Sequence, residues 1–235
     1  MDKQHGRLEG FAEFSREVAA EGAVLLKNEN QTLPIKLNEK VAVFGRIQNS
    51  YYKSGTGSGG LVNVDYVVSI LDGLRNSKVA MVDEKLADVY QQWVNVHPFE
   101  KGAGWGQEPW SQVEMEISDE VVSKAASEND VAIVIIGRTA GEDQDARNEP
   151  GSYLLTELEE KLIEQVSNHF PRCAVVLNVG NIIDMKWVEK YQVPSVMYVW
   201  QGGMEGGNAV ADVLTGKVNP CGKLSNTISI ELDDV

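Results

Sequence analysis

The chain has 235 residues, 43% of them hydrophobic and 24% charged, which is enough for one large domain with its own core. Its formal net charge of −14 argues against nucleic acid and anionic membrane as partners, and no apolar run approaches the roughly 20 residues needed to span a bilayer. Cys173, Cys221 and the scattered His5, His97 and His169 match no metal spacing, so neither a metal nor a cofactor is expected.

The N-terminal stretch MDKQHGRLEGFAEF lacks the apolar core of a signal peptide. A reducing, cytoplasmic location is the expectation, with secretion of a larger parent chain left open. Leu8–Ala20 carries apolar residues at helical spacing (Leu8, Phe11, Phe14, Val18) and ends near Gly22, a helix stop. Ala23–Leu26 is a short apolar run, and Asn28–Pro34 reads as turn-rich. Val41–Phe44 is a strand that ends at Gly45, and RIQNSYYKSGTGSGG (Arg46–Gly60) follows as a long glycine-rich loop.

Tyr66–Leu74 and Lys85–Val94 read as helices, and HPFEKGAGWGQEPWSQ between His97 and Gln112 as a loop rich in glycine and tryptophan. Ser118 caps a helix over Asp119–Ser127, and Thr156 with Glu159 forms a capping-box pattern that starts a helix running to about Asn168. Val131–Ile136 and Ala174–Val179 are apolar enough to be strands buried on both faces. Ile182–Lys190 reads as a helix, Pro194–Trp200 as a strand, and Gly203–Leu214 leads into a helix. The tail from Gly216 reads as loop with one edge strand. Strands that alternate with helices predict an α/β fold: a three-layer α/β/α sandwich around a mostly parallel sheet of about six strands. No linker divides the chain, so residues 1–235 are read as a single domain.

In open parallel sheets, ligands bind in the loops beyond the carboxyl ends of the strands. After Val131–Ile136 the composition flips to GRTAGEDQDAR, with Glu142, Asp143, Asp145 and Arg147 in close succession. Glu142 is the first candidate for chemistry; the alternative is a solvated acidic loop. Gly55–Gly60 satisfies G-x-G-x-x-G, yet about ten residues separate it from the preceding strand and no helix follows at once, so a dinucleotide site is not supported. Leu61 stands where a Walker loop has lysine, and Thr56 spoils the G-x-S-x-G pattern around Ser58. A flexible loop that lets a ligand or another domain approach closely remains. Trp200-Gln201-Gly202-Gly203 at a strand end is either core packing or a sugar-stacking platform.

Taken together, EGAVLLKNENQTLPI (Glu21–Ile35), KSGTGSGGLVNV (Lys53–Val64), GRTAGEDQDA (Gly137–Ala146), VVLNVGNIID (Val175–Asp184) and VWQGGMEGGNAVADVLTGKVNPCGKL (Val199–Leu224) resemble the second, (α/β)6-sandwich domain of glycoside hydrolase family 3, whose prototypes are β-glucosidases. The resemblance runs from about Phe11 to the end, and its last segment is highly specific. It implies a retaining, exo-acting β-glycosidase on β-linked glucosides or short oligosaccharides. It implies that Glu142 is the general acid/base, and that Lys53, Gly57 and Ser58 lie on a substrate-binding loop at the aglycone side of the active-site mouth. Many members read G-E-G-x-D-R where this chain reads G-E-D-Q-D-A-R, so Arg147 is displaced by one place.

The family's nucleophile is an aspartate in an S-D-W context on a TIM-like barrel. No such motif occurs here: Ser118-Asp119 is followed by Glu120. The resemblance therefore implies a barrel partner domain outside these residues, the segment being either excised or the N-terminal part of a domain-reversed enzyme; Met1 favours the second. Asp143 and Asp145 are expected to help keep Glu142 protonated, since like charges raise a carboxyl pKa. A non-catalytic flavodoxin-like scaffold and a phosphorylase on the same framework are the alternatives.

Overall fold

The computed structural model describes residues 8–60, 62–142 and 145–230; Leu61, Asp143, His5 and the end of the tail lie outside them. Six strands form one sheet: β1 (Val24–Asn28), β2 (Lys40–Phe44), β3 (Met81–Val82), β4 (Val131–Arg138), β5 (Cys173–Val179) and β6 (Ser195–Tyr198), in the order β1-β6-β5-β4-β2-β3. All neighbours pair parallel except β1, which runs antiparallel to β6 at one edge. This is the expected α/β sandwich.

Alternation along the strands divides the core. Ala42, Phe44, Ala132, Val134, Ile136, Val175 and Leu177 face one side, where α3 (Glu84–Val96), α4 (Asp119–Glu128) and α5 (Glu157–His169) pack through Leu86, Tyr90, Val122, Leu162 and Val166. Val41, Val43, Ile133, Ile135, Ala174 and Val176 face the other, against α2 (Ile70–Ser77) and α7 (Gly206–Leu214) through Leu71, Leu74, Val210 and Leu214. Every residue of β4 and β5 is buried, which is why each reads as an unbroken apolar run.

The sequence signals for α4 and α5 hold at the level of atoms. The Ser118 hydroxyl accepts from Val121 N–H, and Thr156 and Glu159 form the reciprocal capping box. Three expectations differ. The helix expected from Tyr66 starts at Ile70, because Val68 N–H is taken by Met204 O and Ser69 caps instead. The helix expected over Ile182–Lys190 is only α6 (Lys186–Lys190), because Asn181 Oδ1 takes Ile182 N–H and Tyr198 OH takes Ile183 N–H. The tail forms no strand among the described residues; it lies along the start of β1, with Gly222 N–H donating to Ala23 O at 3.0 Å. β3, two residues long, is too short to leave a periodic trace.

Helix α1 (Phe11–Glu21) precedes β1 and packs on α7, tied by a two-point ion pair from Arg16 to buried Asp212 at 2.5 and 2.6 Å. Among the described residues no helix is long and apolar enough to cross a membrane.

Candidate active-site loops

Four loops converge outside the carboxyl ends of the parallel strands. Asn178, on β5, is buried and links two of them: its side chain accepts from Tyr52 N–H at 2.8 Å and donates to Tyr52 O and Trp200 O. Tyr51 OH accepts from Gly202 N–H at 2.8 Å, and Lys53 O accepts from Gly203 N–H at 2.9 Å. The loop after β4 is joined to the tryptophan-bearing loop by Thr139 N–H donating to Trp110 O at 2.9 Å.

The glycine loop and the Glu142 loop lie backbone to backbone. Thr56 and Gly141 form a parallel bridge, and Thr56 N–H donates to Ala140 O at 2.5 Å. A Cβ at Gly55 would sit 2.1 Å from Ala140 O, so only glycine permits this approach. Glu142 is thereby brought over the glycine loop, where Ser58 N–H donates to its Oε2 at 2.7 Å. Gly57 (φ +78°) lies under the carboxylate, and a Cβ there would be 2.5 Å from Glu142 Oε2. Glu142, Gly57 and Ser58 are therefore in one contact set. Lys53 lies at the base of the same loop, with Nζ donating to Ser54 Oγ at 3.0 Å and Gly60 O at 3.3 Å. A cavity of about 300 Å³ lined by Tyr51, Lys53, Val67 and Phe99 opens beside it.

The electrostatics of Glu142 run opposite to the expectation of a carboxyl kept protonated by its neighbours. Its side chain is exposed, and the bonds from Ser58 hold its pKa below the usual glutamate range. Asp145 is exposed and does not figure among the causes. Arg147 enters through its backbone: its N–H donates to Ser152 Oγ at 2.9 Å, and its carbonyl accepts from Glu149 and Tyr153.

Trp200 is used for packing. Its ring lies on Tyr198 with centroids 4.9 Å apart, and Nε1 donates to Gly22 O at 3.0 Å. The stacking surface that sequence could assign to it is thus engaged within the fold. Trp105, by contrast, is 52% exposed on the loop before Thr139's partner Trp110.

Sequence reasoning passed over Glu108. Partial burial raises its pKa, against the opposing influence of the Thr139 hydroxyl and the Lys53 charge. Its only trace in the sequence is a carboxylate set among glycines and tryptophans. Arg138, at the end of β4, was also unremarked. It is 1% exposed and donates to Ser152 O, Gly137 O, Leu154 O and both oxygens of Glu159. It fastens the returning limb of the Glu142 loop to the sheet.

The arrangement defines an α/β/α domain that presents an exposed loop carboxylate beyond the carboxyl ends of its strands. The chain belongs to glycoside hydrolase family 3: residues 23–235 match the Glycosyl hydrolase family 3 C-terminal domain. It is 51% identical over 224 residues to a beta-glucosidase of Ruminococcus albus, a match that covers 95% of this chain and 23% of that protein. In structure it resembles a beta-glucosidase from Paenibacillus barengoltzii (TM-score 0.94, 55% identity, 97% of this chain and 25% of that one). It also resembles beta-glucosidase 3B from Thermotoga neapolitana (TM-score 0.86, 35% identity, 97% of this chain and 32% of that one). The chain thus spans a quarter to a third of the length of these relatives.

Proposed function

We propose that this chain is the domain of a retaining, exo-acting β-glucosidase that supplies the general acid/base, Glu142, for hydrolysis of β-linked glucosides or short oligosaccharides. The nucleophile belongs to a TIM-like barrel domain of the same enzyme. The observation that carries the reading is the pairing of Glu142 with Ser58 N–H on an exposed rim where the glycine loop and the strand-end loops meet. A scaffold would have no need of a carboxylate that its own fold holds in place without burying it. Lys53, Gly57 and Ser58 form the aglycone side of the site, beside the cavity that Tyr51 and Phe99 line. The free Cys173 and Cys221 fit a cytoplasmic location.

The chemistry needs two carboxyl groups roughly 5–5.5 Å apart across the scissile bond. The barrel carboxylate attacks the anomeric carbon while Glu142 gives its proton to the departing oxygen. Glu142, now a carboxylate, then takes a proton from water, whose oxygen displaces the nucleophile. The first step requires a protonated Glu142. In this chain it is exposed and the bonds from Ser58 lower its pKa; covering by the barrel and by substrate would exclude water and raise it.

The test is Glu142→Ala in the complete enzyme. Poor leaving groups, which need the proton, should lose turnover steeply. A nitrophenolate leaves unaided, so the glycosyl-enzyme should accumulate, and azide should release it as the β-glycosyl azide. Equal loss on all substrates with no azide product would count against the assignment.

A further inference from the structure

Helix α1 wears its apolar side outward. Phe11, Phe14 and Val18 recur at spacings of three and four, a pattern that in a surface helix ordinarily marks the side facing the core. Here they are 48%, 63% and 51% exposed, and Leu8 just ahead of the helix is 77% exposed. The side turned to α7 is made of small residues: Ala20 is buried, Ala12, Ser15 and Ala19 are half-buried, and Arg16 pairs with Asp212. A helix anchored by a two-point ion pair to buried Asp212 does not roll over to hide its phenylalanines. Alongside the apolar stripe runs an exposed acidic row, Glu13, Glu17 and Glu21, at spacings of four.

We propose that the outer face of α1 is an interdomain docking surface, covered in the whole enzyme by polypeptide of the same chain outside these residues. That polypeptide meets the stripe with an apolar groove and the acidic row with lysine or arginine along the groove's rim. An exposed apolar stripe with a charged border has the anatomy of an interface. The occupant is argued from two observations. In the relatives the matching segment is only 23% to 32% of the chain, so a further body of polypeptide is joined to it. A second copy is disfavoured, because it would set two such acidic rows together on domains that each carry a charge of −14. The inference rests on the family comparison and not on the role of Glu142, so each can fail alone.

The experiment uses the complete enzyme carrying Phe14→Cys, with Val18→Cys as an independent second variant. Thiol alkylation at the engineered site is read peptide by peptide, so that Cys221 does not interfere, in native buffer and in denaturant. The native rate at Phe14→Cys is expected to be about tenfold or more below the unfolded rate, since reaction needs the covering surface to open. Adding Glu13→Lys, Glu17→Lys and Glu21→Lys should bring the native rate up toward the unfolded one. Native rates equal to the unfolded ones in both cysteine variants would overturn the proposal. So would protection that vanishes on dilution, which would assign the face to a second copy. An unchanged rate in the charge-reversed enzyme would overturn the cationic rim.

Discussion

Ser58 and Glu142, 84 positions apart in the chain, are joined by a 2.7 Å hydrogen bond from the backbone N–H of one to the carboxylate of the other. The bond exists because Gly57 has no side chain. At Gly57→Ala the new Cβ would lie 2.5 Å from Glu142 Oε2 and 2.7 Å from Glu142 Cβ, at a φ of +78° that alanine resists. The carboxylate must move, and the loop with it. Because the core is untouched, the melting temperature of the complete enzyme should shift little. Turnover should fall about 100-fold, the scale expected when a reacting group is misplaced by an ångström. Full activity in Gly57→Ala would mean that this contact does not set the working position of Glu142.

The same contact makes a pH prediction. Ser58 holds the folded-state pKa of Glu142 below its ordinary value of 4.5. A depressed carboxyl pKa stabilises the folded arrangement above 4.5, and the gain is lost as pH falls through the folded pKa. Carbon-detected titration of this chain should therefore place the Glu142 midpoint under 4.5. In the complete enzyme with a non-hydrolysable glucoside bound, the midpoint should move up. A midpoint that stays low in the closed complex would count against Glu142 as the general acid.

Glu114 works in the other direction. Burial pushes its pKa up to about 7, against the N–H groups of Arg46 (3.2 and 3.0 Å) and Met115 (2.8 Å), which favour the ionised form. The unfolded value is 4.5, so between 4.5 and about 7 the folded state holds the extra proton. Stability from this group is complete below 4.5 and declines as pH rises to about 7. Glu114→Gln keeps an acceptor for Arg46 and removes the titration. Its stability profile across that range should be flatter than the parent's; an identical slope would show that other groups set it.

How much of this was legible in sequence depends on how local each cause is. β4 and β5 announce themselves because both faces are buried, and α5 because Thr156 and Glu159 are three residues apart. The start of α2 and the shortness of α6 were not legible, since each is decided by distant hydrogen bonds, from Val68 to Met204 and from Ile183 to Tyr198. The periodicity of α1 reported a helix truthfully but not which side faces inward; that was settled by Arg16 finding Asp212. For the site, motif likeness picked out Glu142 and the glycine loop separately. Their contact, and the lowered pKa that follows from it, needs the two loops in space.

Arg138 and Glu159 form an ion pair with both side chains nearly inaccessible (1% and 5% exposed) and a separation of 2.6 Å. Removing one partner strands a buried charge, which typically costs about 3–5 kcal/mol, whereas replacing both with apolar residues of similar volume is often close to neutral. Arg138→Met should therefore lower thermal stability sharply, and Arg138→Met with Glu159→Met should recover much of it. The recovery will be incomplete, because Glu159 also accepts Thr156 N–H in the capping box, worth about 1 kcal/mol. The double variant should still be slow in catalysis. Ser152 O and Leu154 O lose the guanidinium that holds the limb following Glu142. A double variant both stable and fully active would assign Arg138 to stability alone.

The last expectation concerns residues 1–235 by themselves: they should not hydrolyse aryl β-glucosides. A good leaving group removes the need for an acid, so only a nucleophile at the anomeric carbon is then demanded. Glu142 is exposed and already accepts a hydrogen bond from Ser58. Glu108 is a second, partly buried carboxyl among these loops. Partial burial raises its pKa, and the Thr139 hydroxyl and the Lys53 charge oppose that rise. On the proposed reading, the ionised carboxylate required on the far face of a bound glucoside comes from the barrel domain. Purified 1–235 should release nitrophenolate no faster than buffer, while the complete enzyme turns over under the same conditions. Hydrolysis by the segment alone, persisting after removal of host glucosidase and abolished by Glu108→Gln, would place the nucleophile in this chain and undo the two-domain reading.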